Sequence, residues 1–105
     1  MKEITAQELK AKMDGGEDFQ LIDVREDNER QFTHIGGDHI AMGTIVNNLD
    51  KISKDKDVII YCRSGSRSGQ VAGFLEMTHG FENLYNLTGG ILGWADQIDD
   101  AIKKY

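Results

Sequence analysis

The chain contains no proline and only one cysteine, and none of its apolar runs is long enough to cross a membrane. A single cysteine excludes an internal disulfide and any metal site built from several cysteines, and a lone free thiol is typical of a reducing compartment. The N-terminal residues also lack the apolar run of a signal peptide. We therefore expect a cytoplasmic protein with no bound metal, no cofactor and no membrane partner.

Basic residues are scarcer than acidic ones, 12 against 18, which gives a net charge of −6. Nucleic-acid binding needs clustered Lys and Arg that neutralise phosphates, so this composition argues against a nucleic-acid partner. The 105 residues show no linker-like composition. They predict one domain over 1–105, large enough to bury about two thirds of its extended-chain surface.

The residues most able to carry chemistry lie in one segment of the chain. The residues Val58-Ile59-Ile60-Tyr61 predict a strand that is buried on both faces. The only cysteine, Cys62, follows it directly, where open parallel sheets bind ligands. A loop rich in glycine and serine then leads into a helical pattern. Strand, loop and helix together predict a ligand site.

The surroundings of Cys62 favour a reactive thiolate. Arg63 and Arg67 flank the thiol, and the loop amides lead into a helix N-terminus, where the partial charge is positive. These features lower the pKa of a thiol from its free value of about 8.5. Gly65 and Gly69 allow the backbone to curl and present its N–H groups to an anion. The alternative of a small buried hydrophobe fits poorly with two arginines and three serines nearby.

The segment from Cys62 to Arg67 resembles the active-site loop of rhodanese-like sulfurtransferases, in which the cysteine carries a transferable sulfur as a persulfide. The resemblance implies that Cys62 is catalytic and that a small anionic sulfur donor such as thiosulfate binds the loop. Arg67 would be the main anion contact and Arg63 the residue at the mouth. The substrate-binding residues implied are Arg63, Ser64, Gly65, Ser66, Arg67 and Ser68.

Loop length argues against one alternative function, and the presence of the cysteine argues against another. Loops of the tyrosine-phosphatase type place the arginine six positions after the cysteine, and here that position is Ser68. A smaller cradle holds a sulfur atom better than a phosphate, which needs more donors and more room. A phosphatase or arsenate reductase is thus the less favoured enzyme. A non-enzymatic regulatory module is the other alternative, although such modules usually lose the cysteine.

Two further segments extend the resemblance along the chain. In Leu21-Ile22-Asp23-Val24-Arg25-Glu26, which matches an early family motif, Asp23 and Arg25 would support the fold. Asp23 lies among apolar residues, so we expect it to be buried and paired. In His34-Ile35-Gly36-Gly37, Gly36 replaces the usual proline. Neither His34 nor His39 is expected to bind metal or to act as a base, because no further ligand follows at suitable spacing.

The Gly36-Gly37 turn and Ile40-Ala41-Met42-Gly43 are most similar to rhodanese domains at the C-terminal end of enzymes that adenylate sulfur-carrier proteins. This similarity implies a small sulfur-carrier protein as the acceptor. A low-molecular-weight thiol is an equally weighted alternative acceptor.

Strands that alternate with helices predict an α/β fold with a mainly parallel sheet and helices on both faces. The resemblance implies the rhodanese fold, with about five strands. Thr5 and Glu8 predict a capped first helix. Further strands are expected over 19–24 and 81–87, and a terminal helix is expected to carry Trp94, Ile98 and Ile102 on its apolar face.

Overall fold

The computed structural model describes residues 1–105 and has a five-stranded sheet in which every strand pair is parallel, in the order β1-β5-β4-β2-β3. The strands are β1 Lys2–Ile4, β2 Gln20–Asp23, β3 Asp38–His39, β4 Val58–Tyr61 and β5 Leu84–Leu87. The helices are α1 Ala6–Asp14, α2 Asp27–Phe32, α3 Ser66–His79 and α4 Gly90–Gln97, with a 3₁₀ helix over Met42–Lys51. The predicted α/β class and parallel sheet are confirmed.

The central strand β4 is buried on both faces, as its apolar sequence predicts. Val58 and Ile60 point into a core formed with α3 and the 3₁₀ helix, and Cys62 continues that row. Ile59 and Tyr61 point into the opposite core, formed with α1 and α4. The alternation of side chains along a strand therefore aims the cysteine towards α3.

The first helix begins as predicted. The N–H of Glu8 donates to the Thr5 hydroxyl at 3.1 Å, and the N–H of Thr5 donates to the Glu8 carboxylate at 2.9 Å, which completes a capping box. Trp94 is 6% exposed and belongs to the core, also as predicted. None of the helices has both the length and the apolar character needed to span a bilayer.

The last helix is shorter than predicted, because α4 ends at Gln97. The carboxylate of Asp99 accepts a hydrogen bond from the N–H of Ala101 at 3.0 Å. Such a local side-chain bond competes with helical hydrogen bonding, which explains the early end. Ile98 and Ile102 nevertheless pack against the core that contains Trp94.

Gly36, which stands where the resemblance implies proline, adopts a φ of +94°. Proline is locked near −65°, so it cannot adopt this conformation. The turn is held by side chains instead. The guanidinium of Arg30 donates to the carbonyls of Gly36 at 3.0 Å and Gly37 at 2.8 Å, and the Tyr61 hydroxyl donates to the Gly36 carbonyl at 2.9 Å.

Candidate active site

Cys62 lies just beyond the end of β4 and faces the N-terminus of α3. The residue is only 1% exposed, yet its sulfur is surrounded by donors. The backbone N–H groups of Gly65 and Ser68 approach Sγ at 3.1 and 3.4 Å, and the hydroxyl oxygen of Ser68 lies 3.3 Å from it. The buried cysteine therefore sits in a polar cradle on its sulfur side and in the apolar core on its other side.

These donors lower the pKa of the thiol. Burial by itself raises the pKa of Cys62, but hydrogen bonds from the Ser68 hydroxyl and from the N–H groups of Ser68, Gly65 and Ser64 outweigh it, so the pKa is lowered. The sequence predicts the two arginines and the helix N-terminus as the cause of this lowering. The loop's uncharged donors, which include the first N–H groups of α3, are the main cause.

The loop needs a glycine at position 65. Gly65 has a φ of +106°, a conformation that residues with a Cβ atom rarely adopt, and this turn directs its own N–H to the sulfur. The next residues enter α3, where the N–H groups of Ser66 and Arg67 find no acceptor in the protein. Two free donors therefore border the same cradle.

Arg67 differs from its predicted position. Its guanidinium donates two hydrogen bonds to the carboxylate of Glu29 on α2, at 2.7 and 2.8 Å, instead of pointing freely into the loop. The cause is shape, since the planar fork of arginine matches a carboxylate with two parallel bonds. The pair with Arg67 lowers the pKa of Glu29 to about 2. The charge of Arg67 still interacts with Cys62.

Arg63 lies at the rim, as predicted, and contacts Tyr105. Its guanidinium stacks on the Tyr105 ring at 5.1 Å and donates to the carbonyl of the same residue. The Tyr105 hydroxyl donates to Glu29 at 2.6 Å, so one aromatic side chain joins Arg63 to the partner of Arg67. The remaining predicted residues, Ser64 and Ser66, are exposed, and their side chains make no hydrogen bond.

Asp23 and Arg25 are both completely buried, and Asp23 is paired as expected, with Arg25 as its partner. The Arg25 guanidinium donates to the two Asp23 carboxylate oxygens at 2.9 and 2.8 Å and to the Thr33 carbonyl at 2.7 Å. Burial raises the pKa of Asp23, but the bonds from Arg25 outweigh it and lower the pKa. Neither residue hydrogen-bonds the sulfur of Cys62.

The histidines take no part in the cradle. His34 accepts a bond from the N–H of Gly36 at 2.9 Å, and His39 lies 2.7 Å from the Arg25 carbonyl through Nε2. Neither ring hydrogen-bonds Cys62.

Three residues of the site were not identified from the sequence. Glu29 binds Arg67, and Tyr105 contacts both Glu29 and Arg63. Asn86, inside β5, accepts a hydrogen bond from the hydroxyl of Ser68 at 2.5 Å. Only Asn86 carries a signal in the sequence, because it is a polar residue between Leu84 and Leu87. Glu29 and Tyr105 lie far from Cys62 in sequence and give no local signal.

Known proteins resemble this chain over nearly its whole length. The family described as "Rhodanese-like domain" matches residues 5–97. A protein named sulfurtransferase from Allochromatium vinosum is 38% identical over 96 residues, covering 90% of this chain and 89% of the relative. Thiosulfate sulfurtransferase GlpE of Coxiella burnetii is 33% identical over 78 residues, covering 73% of this chain and 72% of the relative.

The fold is shared with solved structures. A rhodanese-like domain protein from Staphylococcus aureus is 33% identical and superposes with a TM-score of 0.84, covering 100% of this chain and 99% of that one.

Other relatives are much longer. The chain covers 38% of rhodanese-like/PpiC domain-containing protein 12 of Arabidopsis thaliana, at 35% identity, and 26% of the Mycobacterium tuberculosis protein named "Probable adenylyltransferase/sulfurtransferase MoeZ", at 32% identity. These two alignments cover 100% and 97% of this chain, respectively.

Proposed function

Because the chain belongs to the rhodanese-like domain family, we propose that it is a sulfurtransferase that moves a sulfane sulfur from a donor to a thiophilic acceptor through a persulfide on Cys62. The observation that carries this proposal is that two backbone N–H groups and one hydroxyl, from Gly65 and Ser68, lie 3.1–3.4 Å from one buried sulfur. Such donors stabilise the thiolate, and the thiolate is the form that attacks a sulfur atom.

The reaction has two displacement steps. In the first, the Cys62 thiolate attacks the outer sulfur of thiosulfate, a new S–S bond forms, and sulfite leaves with the electron pair of the old one. In the second, an acceptor thiolate attacks the outer sulfur of the persulfide, and the Cys62 thiolate leaves. With a thiol acceptor, charge balances in both steps, and no external oxidant or reductant is needed.

The unpaired N–H groups of Ser66 and Arg67 are the candidates for holding the outer, negatively charged sulfur. Arg67 adds positive charge beside them, although Glu29 already binds its guanidinium. The cradle therefore offers mainly backbone dipoles to the transferred atom. A compact, weakly hydrated sulfur anion fits such a site better than a phosphate group, whose oxygens require more donors.

Intact mass spectrometry tests the proposal directly. The protein is incubated with thiosulfate or with a glutathione persulfide, and we expect one added sulfur atom that cyanide or a thiol removes. The matched control is Cys62→Ser, which is nearly isosteric and, because no other cysteine exists, leaves no thiol in the chain. An unmodified wild-type mass with both donors, or transfer by the variant above a tenth of the wild-type rate, would contradict the proposal.

The acceptor is proposed in two forms. The relative MoeZ is named for adenylyltransferase and sulfurtransferase activities, which supports a small adenylated sulfur-carrier protein as the acceptor. A low-molecular-weight thiol is the alternative. With the carrier, the outer sulfur of the persulfide would attack the acyl-adenylate carbon and AMP would leave, which gives an acyl disulfide on Cys62. Two molecules of glutathione would then reduce this disulfide, freeing the carrier thiocarboxylate and the Cys62 thiolate and forming glutathione disulfide. The test therefore offers Cys62 loaded with labelled sulfur an adenylated carrier together with glutathione. Label in a carrier thiocarboxylate supports the first acceptor, and label only in glutathione persulfide excludes it.

A further inference from the structure

The hydroxyl of Ser68 faces two acceptors at once. Its oxygen lies 3.3 Å from the sulfur of Cys62 and 2.5 Å from Oδ1 of Asn86. Ser68 is fully buried and Asn86 is 6% exposed, so water has little access to either group. A serine hydroxyl carries one hydrogen and can donate to only one acceptor at a time.

The orientation of the Asn86 amide is fixed by its other contacts. Nδ2 donates to the carbonyl of Gly65 at 3.1 Å and to the carboxylate oxygens of Glu3 at 3.3 and 3.4 Å. A carbonyl and a carboxylate can only accept, so the amide NH₂ group must face them. Oδ1 therefore faces Ser68 and can only accept, which makes Ser68 the donor in the 2.5 Å contact.

We propose that Asn86 and Cys62 compete for the single hydroxyl hydrogen of Ser68, and that this hydrogen turns from Asn86 to the sulfur when the sulfur becomes an anion. With a neutral thiol, Ser68 donates to Asn86 and the weakly donating S–H group can point at the Ser68 oxygen. With a thiolate, the hydroxyl turns to Sγ, because hydrogen bonds to charged groups are the stronger ones. No covalent bond changes at Ser68 or Asn86, and the thiol proton passes to water.

This competition has a role in catalysis that rests on the proposed function. When Cys62 becomes a persulfide, the negative charge moves to the outer sulfur and Sγ becomes a neutral bridging atom. The Ser68 hydroxyl then returns to Asn86. The hydroxyl thus stabilises the attacking and the leaving thiolate but not the loaded state, and Asn86 acts as a positioning residue that limits this stabilisation.

The charged groups around this cluster are Glu3 from β1 at the Asn86 amide, Arg67 from α3 with its partner Glu29 from α2, and Arg63 in the loop. Replacing Asn86 by leucine, which is similar in size, changes none of these charges. The substitution removes the competing acceptor, but it also removes the bond to the Gly65 carbonyl. A second background is needed to separate the two effects.

The test is the pH dependence of Cys62 alkylation by iodoacetamide in the wild type, Asn86→Leu, Ser68→Ala and the double variant. If Asn86 competes for the hydroxyl, Asn86→Leu lowers the midpoint of the alkylation rate in the wild type. This lowering should be about one pH unit larger than the shift that the same substitution causes in the Ser68→Ala background. A role only as an anchor of the loop predicts the same shift in both backgrounds, and that result would overturn the proposal.

Asn86→Ala is measured in parallel, because it removes the same acceptor without the bulk of leucine, and circular dichroism reports whether each variant is folded. The difference between the midpoint shifts in the two backgrounds should have the same sign for Asn86→Ala as for Asn86→Leu. Opposite signs for the two variants would also overturn the proposal. Alkylation requires no sulfur transfer. A protein that alkylates as expected but never gains a sulfur atom would therefore refute the proposed function and leave the hydroxyl competition standing.

Discussion

Two neighbouring strands end side by side at the carboxyl edge of the sheet, and a buried group that can carry charge lies at the end of each. Asp23 ends β2 opposite Tyr61, and Cys62 follows Tyr61 at the end of β4. Asp23 is bound by the full positive charges of Arg25 and Arg30. Cys62 is bound by uncharged donors of Gly65 and Ser68.

The two groups differ in the kind of partner that stabilises their negative charge. Close ion pairing fixes the charge of Asp23, and burial together with that negative charge raises the pKa of the neighbouring Tyr61 to about 12. Backbone and hydroxyl dipoles, in contrast, stabilise a thiolate without covering it with a counterion. A thiolate stabilised only by dipoles remains free to form a bond, whereas a carboxylate paired with arginine does not.

The largest effect is expected from breaking the buried pair of Asp23 and Arg25. Asp23→Ala leaves the fully buried Arg25 guanidinium without its carboxylate, and we expect the free energy of unfolding to fall by about 3–5 kcal/mol. Urea denaturation measures it. The matched control is Asp18→Ala, which breaks an exposed pair with Lys56 and should change little. Equal effects of the two substitutions would show that the buried pair does not hold this edge of the sheet.

The next effect concerns the charged rim. Arg67→Ala removes a cation near Cys62 and leaves the Glu29 carboxylate without its guanidinium partner. We expect kcat/KM with thiosulfate to fall about a hundredfold, as when a preorganised donor is lost. Adding Glu29→Gln to this variant should restore part of the rate, because it removes the unpaired negative charge. No loss in Arg67→Ala would show that backbone donors alone hold the anion.

The third prediction concerns the thiol itself. Uncharged donors lower the pKa of Cys62 against the effect of burial, so the thiolate, and with it alkylation, should persist at lower pH than for a free thiol. The midpoint of the alkylation rate against pH should lie below the free value of about 8.5. Ser68→Ala should move it upwards. A wild-type midpoint at or above the free value would mean that burial outweighs the hydrogen bonds.

The sequence is informative where a structural feature depends on consecutive residues. The apolar run of β4, the cysteine that follows it and the capping box of Thr5 are all local patterns, and each is found as predicted. β1 and β3 were not predicted, since strands of three and two residues are too short to show a period.

Contacts between distant residues explain the rest. Arg67 and Glu29 are 38 residues apart, and Tyr105 and Glu29 are 76 apart, so no local pattern can pair them. Sequence reasoning therefore identified Arg67 but could not foresee that its guanidinium is already bound. Asn86 was overlooked for the same reason, because its partner Ser68 lies in a different element.

The smallest effect is expected at Arg63, the other arginine beside the thiol. Its guanidinium is at the rim, where it stacks on the Tyr105 ring at 5.1 Å, and exposed cation–π contacts are worth only about 0.5–1 kcal/mol. Arg63→Ala should therefore lower kcat/KM with thiosulfate by roughly fivefold or less, since 1.4 kcal/mol corresponds to about tenfold. Arg63→Lys, which keeps the charge, should restore most of that loss. If Arg63→Ala instead costs as much as Arg67→Ala, then anions are captured at the rim by Arg63, and the pairing of Arg67 with Glu29 serves the fold and not the donor.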